Sequence, residues 1–140
     1  MKKLLRHNYS IVFLVLLFIP SIQQLHGQTA ARLEALIETP ALSWEQAAAF
    51  IQEAAATDQS WLPKNTSPGD TARFNGVALI LMRSFDINGG IFYRISKSPH
   101  HAYRELVYKN VIHGDIDPDM PVSGQQLLFM VSRILAMKEQ

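Results

Sequence analysis

The chain has 140 residues, is 48% hydrophobic, and carries 13 basic against 12 acidic residues, a formal charge of +1. It contains no cysteine, which excludes disulfides, thiol chemistry and lipid attachment through a cysteine. It has no basic block, so nucleic acid would find no electrostatic footprint on it.

Lys2, Lys3 and Arg6 give the chain a positive start, and the residues from Ile11 to Ile19 are an unbroken apolar run ended by Pro20. With Leu25-His26-Gly27 behind them, these residues have the layout of a secretory signal peptide cut after Gly27. A spanning helix needs roughly 20 apolar residues, so the short run favours cleavage over a retained anchor. An uncleaved segment would be the chain's one expected route to a membrane. The expected location is the periplasm or cell envelope. Removing residues 1–27 leaves ten basic residues against all twelve acidic ones, a formal charge of about −2 on one domain spanning 28–140.

Along that domain the apolar spacing predicts helices. A short one covers Ala30 to Glu38, with Leu33, Leu36 and Ile37 on one face and Pro40 closing it. A second runs from Ser43 to about Ala56, with Ala47, Phe50, Ile51 and Ala54 at three- and four-residue steps. Residues 58–70 hold Pro63, Asn65, Ser67, Pro68 and Gly69 and read as an internal linker, with Trp61 and Leu62 folding back onto the core. A third helix is expected from Asp70 or Thr71 to Phe85, capped by Ser67 or Asp70 with Pro68 in its first turn. Its run from Val77 to Met82 is apolar on nearly every side, which predicts the most buried element, and Gly76 admits a close neighbour.

Asn88-Gly89-Gly90 offers left-handed conformations cheaply. Ile91 to Ile95 then reads as extended chain or a short strand. Ser98-Pro99 opens a fourth helix with Tyr103, Leu106, Val107 and Val111 inward and Glu105 and Lys109 as a solvated pair. After a loop from His113 to Pro121, a last helix runs from Gly124 to about Met137 with a stripe of Leu127, Leu128, Val131, Ile134 and Leu135. The fold expected is all-α: a small single-domain bundle of four to five helices with at most a trace of strand.

Two helix starts repeat at an offset of eighty positions: Leu42-Ser43-Trp44-Glu45-Gln46 and Val122-Ser123-Gly124-Gln125-Gln126. In each, the serine suits an N-cap and the glutamine three residues on suits the reciprocal arm of a capping box. Residues 103–126, with a helix, a glycine turn, an aspartate-rich loop containing proline and a capped second helix, resemble an S-layer-homology motif. Leu42 to Ala56 is similar to the second helix of another copy. The resemblance covers about a third of residues 28–140. It implies a helical domain that attaches an extracytoplasmic protein to cell-wall polymer or peptidoglycan. The family's arginine falls on Trp44 and Gly124, and its glutamate on Gln46 and Gln126. What carries over is the scaffold: Ser43, Gln46, Ser123 and Gln126 as structural caps and braces.

Other clusters give weaker signals. Asp115, Asp117 and Asp119 alternate as calcium ligands do, but the sixth and twelfth positions of such a loop fall on Met120 and Gln126, where glycine and glutamate are required. Local backbone hydrogen bonding is the simpler role. His101 and Glu105 lie four apart on a helix without a third ligand beside them, with His100 adjacent and His113 distant. No nucleophile motif or phosphate loop is present, and neither metal nor cofactor is expected. The residues from Ile91 to Ile95 combine aromatics with an arginine, the types enriched where proteins meet partners. The competing reading plugs Phe92 and Ile95 into the core and leaves Tyr93 and Arg94 outside. The binding candidates are Trp44, Phe92, Tyr93, Arg94, Arg104 and Tyr108. The expected function is non-catalytic binding or anchoring to cell-wall polymer or another envelope protein. The alternative is a small glycan hydrolase using Glu45, Glu105 or the aspartate loop.

Overall fold

A computed structural model describes residues 29–139; the segment read as a signal peptide lies outside them. Contacts divide the described residues into two units between Ala35 and Leu36. Helix α1 covers residues 29–38. The other helices are α2 (Trp44–Ala54), α3 (Phe74–Ser84), α4 (Ile91–Ser96), α5 (Pro99–Tyr108) and α6 (Gly124–Lys138). The fold is all-α, and among the described residues extended pairing is confined to two isolated antiparallel bridges, Ser43 with Thr71 and Arg73 with Pro121.

Those bridges belong to the organising feature of the second unit. The Leu42 N–H donates to the Val122 carbonyl (2.8 Å), the Ala72 N–H to the Leu42 carbonyl (2.8 Å), and the Val122 N–H to the Ala72 carbonyl (3.0 Å). Three chain segments thus close a ring of backbone hydrogen bonds. Leu42, Ala72 and Val122 are each 0% exposed, so the ring satisfies polar groups that water cannot reach. One residue past each member a helix is capped, at Ser43, Arg73 and Ser123, and α2, α3 and α6 leave from there. The helix start seen twice in the sequence is built three times.

The segments before the ring residues close the first turns of their neighbours' helices. Trp44 and Glu45 donate to the carbonyls of Asp70 and Pro68 (both 2.9 Å). Phe74 and Asn75 donate to those of Met120 and Pro118 (3.2 and 2.9 Å), and Gly124 donates to Thr39 (2.9 Å). Residues 67–70, expected as the end of a linker, are therefore a working part of the α2 cap. That reassigns the third helix start. Ser67 and Asp70 bond one another across a turn, and α3 begins at Phe74 with no side-chain cap.

The core matches the expectation for α3, whose residues from Gly76 to Met82 are all buried. The helix packs most extensively on α5. Trp44 is only 4% exposed. Its indole lies against the α3 backbone, where a Cβ at residue 76 would come within 2.4 Å of the ring. In α6 the inward set is Leu127, Met130, Val131 and Ile134. Leu135 is 41% exposed, and Met130 fills the three-residue step instead. In α1, Leu36 packs on the core while Ile37 is 38% exposed. In α5, Ala102 and Leu106 face inward and Val107 is 36% exposed.

Candidate functional site

Residues 91–96 are helical rather than extended. A lone strand would have left its backbone groups without partners, whereas a short helix satisfies its own. The helix also reverses the expected faces: Tyr93 is 6% exposed, and Ile91, Phe92 and Ile95 are 71, 74 and 80% exposed. Gly89 makes this possible, because a Cβ there would sit 2.4 Å from the Tyr93 ring. The left-handed turn assigned to Asn88-Gly89-Gly90 lies instead at Asp86, with φ of 49°. It ends α3 through bonds from Asp86 to the Arg83 carbonyl and from Ile87 to the Met82 carbonyl.

Between the end of α3, this turn and α4 lies an open groove of about 600 Å³. Trp61 forms one wall, and the Arg83 guanidinium lies 5.0 Å from its ring centroid, within range of a cation–π contact. Tyr93 lines the floor, with Arg94 and Lys97 on the α4 side and Asp86 on the other. Lys97 holds a left-handed backbone (φ 45°) as the C-cap of α4, and its N–H donates to the Tyr93 carbonyl at 2.7 Å. Burial pushes the Tyr93 hydroxyl above its ordinary pKa of 10.0, Arg83 pulls it down, and Asp86 raises it again. The groove therefore offers three cations to one carboxylate, beside an indole and a phenol that keeps its proton.

A smaller cavity of about 190 Å³ lies between α4 and α5, lined by Phe92, His101, Arg104, Glu105 and Tyr108. The His101 ring stacks on Phe92 with centroids 6.0 Å apart. Its Nδ1 lies 2.6 Å from the Ser96 Oγ and 3.0 Å from the Ser98 Oγ. Each of the two cavities is lined by one carboxylate, Asp86 in the larger and Glu105 in the smaller. Glu45, another acid named from sequence, stands exposed in the first turn of α2.

The aspartate loop is a structural strut. Asp117 Oδ1 accepts from the Asp119 N–H (2.9 Å), Asp119 Oδ1 accepts from Asn75 (2.8 Å), and Arg73 donates to the Asp119 carbonyl. The Tyr103 hydroxyl donates to the Ile116 carbonyl, and its pKa is raised by burial, then by Asp115 and Asp117.

The residues predicted from sequence separate into three places. Tyr93 and Arg94 enter the larger groove; Phe92, Arg104 and Tyr108 line the smaller cavity. Trp44 is buried, and so is every residue at the same step after a cap. Phe74 is 2% exposed, and a Cβ on Gly124 would come 1.6 Å from the Leu36 carbonyl oxygen. The four cap residues form two matching boxes. Ser43 and Ser123 accept from the backbones of Gln46 and Gln126 at 3.2 Å, and the glutamine Oε1 atoms accept in return at 2.9 Å.

Sequence reasoning missed Trp61, Arg83 and Lys97, which three separate segments bring together. It also missed the third ring copy, since Ala72-Arg73-Phe74-Asn75-Gly76 lacks both serine and glutamine. The usable signal was a proline four residues before the ring position. Pro68 precedes Ala72 and Pro118 precedes Val122, and both prolines lend their carbonyls to a neighbouring helix. No protein-family model, curated protein or solved structure matches the chain.

Proposed function

We propose that the chain is an exported, non-catalytic module of the cell envelope, similar to a degenerate S-layer-homology domain, that holds an acidic wall polymer in the groove of Trp61, Arg83, Tyr93, Arg94 and Lys97. The observation that carries this reading is the composition of that groove. An acidic sugar has an apolar face that can lie on an aromatic ring and a carboxylate or phosphate that seeks guanidinium and ammonium groups. Trp61 and Arg83 supply both partners within one contact, and Arg94 and Lys97 extend the positive wall.

The absence of catalysis in this reading rests on layout. Glycoside hydrolysis needs two carboxyl groups roughly 5–10 Å apart across one cleft, and each of the two cavities described above is lined by a single acid. The export assignment rests on the charged start, apolar run and Gly27 of the first 27 residues.

Sedimentation with purified cell-wall sacculi tests the proposal. The full chain is expected to be retained on sacculi bearing their acidic polymers, and released as salt rises through the range that screens exposed charges. Trp61→Ala and Arg83→Glu should each weaken retention roughly tenfold. Equal retention on sacculi stripped of acidic polymer would overturn the groove assignment. Release of soluble sugars from the sacculi would replace it with the hydrolase reading.

A further inference from the structure

The outer face of α4 is an apolar ridge for which the groove has no use. Ile91 and Ile95 are four residues apart and stack on one side of the helix, with Phe92 beside them and Tyr93 turned the other way into the core. They are the most exposed aliphatic and phenyl side chains among the described residues, at 71 to 80%.

Charge around the ridge is predominantly positive. Residues 87–104 contain no aspartate or glutamate, and the carboxylates that bound this stretch, Asp86 and Glu105, line the larger groove and the smaller cavity. The same stretch carries Arg94, Lys97 and Arg104 together with His100 and His101. Arg94 and Lys97 stand on the groove side of α4, and Arg104 and His101 on the α5 side next to Phe92. The ridge thus has cations on both flanks, Arg94, Lys97 and Arg104 outnumbering Asp86 and Glu105, in a protein whose residues 28–140 carry a net negative charge.

We infer that this face of α4 docks on an anionic lipid surface, with Ile91, Phe92 and Ile95 entering the boundary between headgroups and acyl chains and Arg94, Lys97 and Arg104 meeting lipid phosphates. Apolar side chains rimmed by cations are the composition that interfacial binding requires, and each cation near an anionic leaflet adds an attraction that salt weakens. A second copy of the chain fits the ridge less well. A two-fold contact through the ridge would bring Arg94, Lys97 and Arg104 toward their own copies, whereas an anionic surface meets all three with opposite charge.

Vesicle sedimentation with the full chain tests this. Vesicles of phosphatidylglycerol mixed with phosphatidylcholine should bind the protein, and pure phosphatidylcholine should bind it far less. The pair Phe92→Ser and Ile95→Ser, both at exposed positions, should keep the wild-type melting temperature and lower partitioning about tenfold or more. Arg94→Glu with Lys97→Glu should lower it comparably and weaken its salt dependence. The apolar run at residues 11–19 is common to all variants, so the difference reads the ridge alone. Trp61→Ala should leave vesicle binding intact while reducing wall retention, which separates this inference from the polymer groove. Vesicle binding of the Phe92/Ile95 variant equal to that of wild type would overturn the assignment, as would equal affinity for both vesicle types. A wild-type dimer that these two substitutions dissociate would assign the ridge to self-association instead.

Discussion

Single atoms decide what two positions in this chain can be. Gly124 follows its cap as Trp44 and Phe74 follow theirs, yet the backbone of residues 36 and 37 crosses where its side chain would be. A Cβ 1.6 Å from the Leu36 carbonyl oxygen has no flexible neighbour to push aside. Gly124→Ala is therefore expected to cost about 2–3 kcal/mol, at the upper end of ordinary overpacking, read as a lower urea midpoint with an unchanged slope. The arginine of an S-layer-homology motif has no room here, and at residue 44 it would be carried into the core. Neither position could hold a long charged side chain without displacing its neighbours.

At the scale of elements, the repeated Ser-x-x-Gln pattern accounts for the side-chain caps of α2 and α6, and neighbouring segments satisfy the remaining first-turn donors. Both boxes have the same geometry, with serine accepting at 3.2 Å and glutamine at 2.9 Å. Ser43→Ala and Ser123→Ala should each destabilise the fold by about 1 kcal/mol, measured by chemical denaturation, and the two losses should add because they sit on different helices. The sequence was legible here because a cap is a local device: donor and acceptor lie three residues apart. It was illegible at residues 91–96 because a stretch with Ile, Phe, Tyr and Ile suits either state locally, and in the fold its Tyr93 is buried in the core over Gly89. The start of α3 was misplaced because its first donors are satisfied by residues 118 and 120, more than forty positions away.

Across the whole molecule, the ring of Leu42, Ala72 and Val122 and the strut from Tyr103 to residue 116 tie distant segments together. That arrangement has a consequence at high pH. Tyr93 and Tyr103 both hold their protons more tightly than a free tyrosine, for which the value is 10.0, chiefly because burial disfavours the phenolate. A folded-state pKa raised above the unfolded one contributes stability that is complete below about pH 10 and is lost as pH climbs toward the raised value. Denaturation curves from pH 8 to 11 should show stability falling above pH 10. In Tyr103→Phe the starting stability should be lower and that decline shallower, since one of the two contributing hydroxyls is gone.

Composition and short-range pattern were enough to determine an all-helical chain, a fully buried α3 and two capped helix starts. Each of these depends on residues within one or two helical turns of one another. Tertiary structure alone decided the closed ring with its third, unmarked copy, the inward turn of Tyr93 that leaves Ile91, Phe92 and Ile95 outside, and the meeting of Trp61, Arg83 and Lys97 in one groove. The ring joins segments thirty to eighty residues apart and the groove joins residues fourteen to thirty-six apart, where chain reversals and close backbone approach, rather than residue type, set which side chains meet.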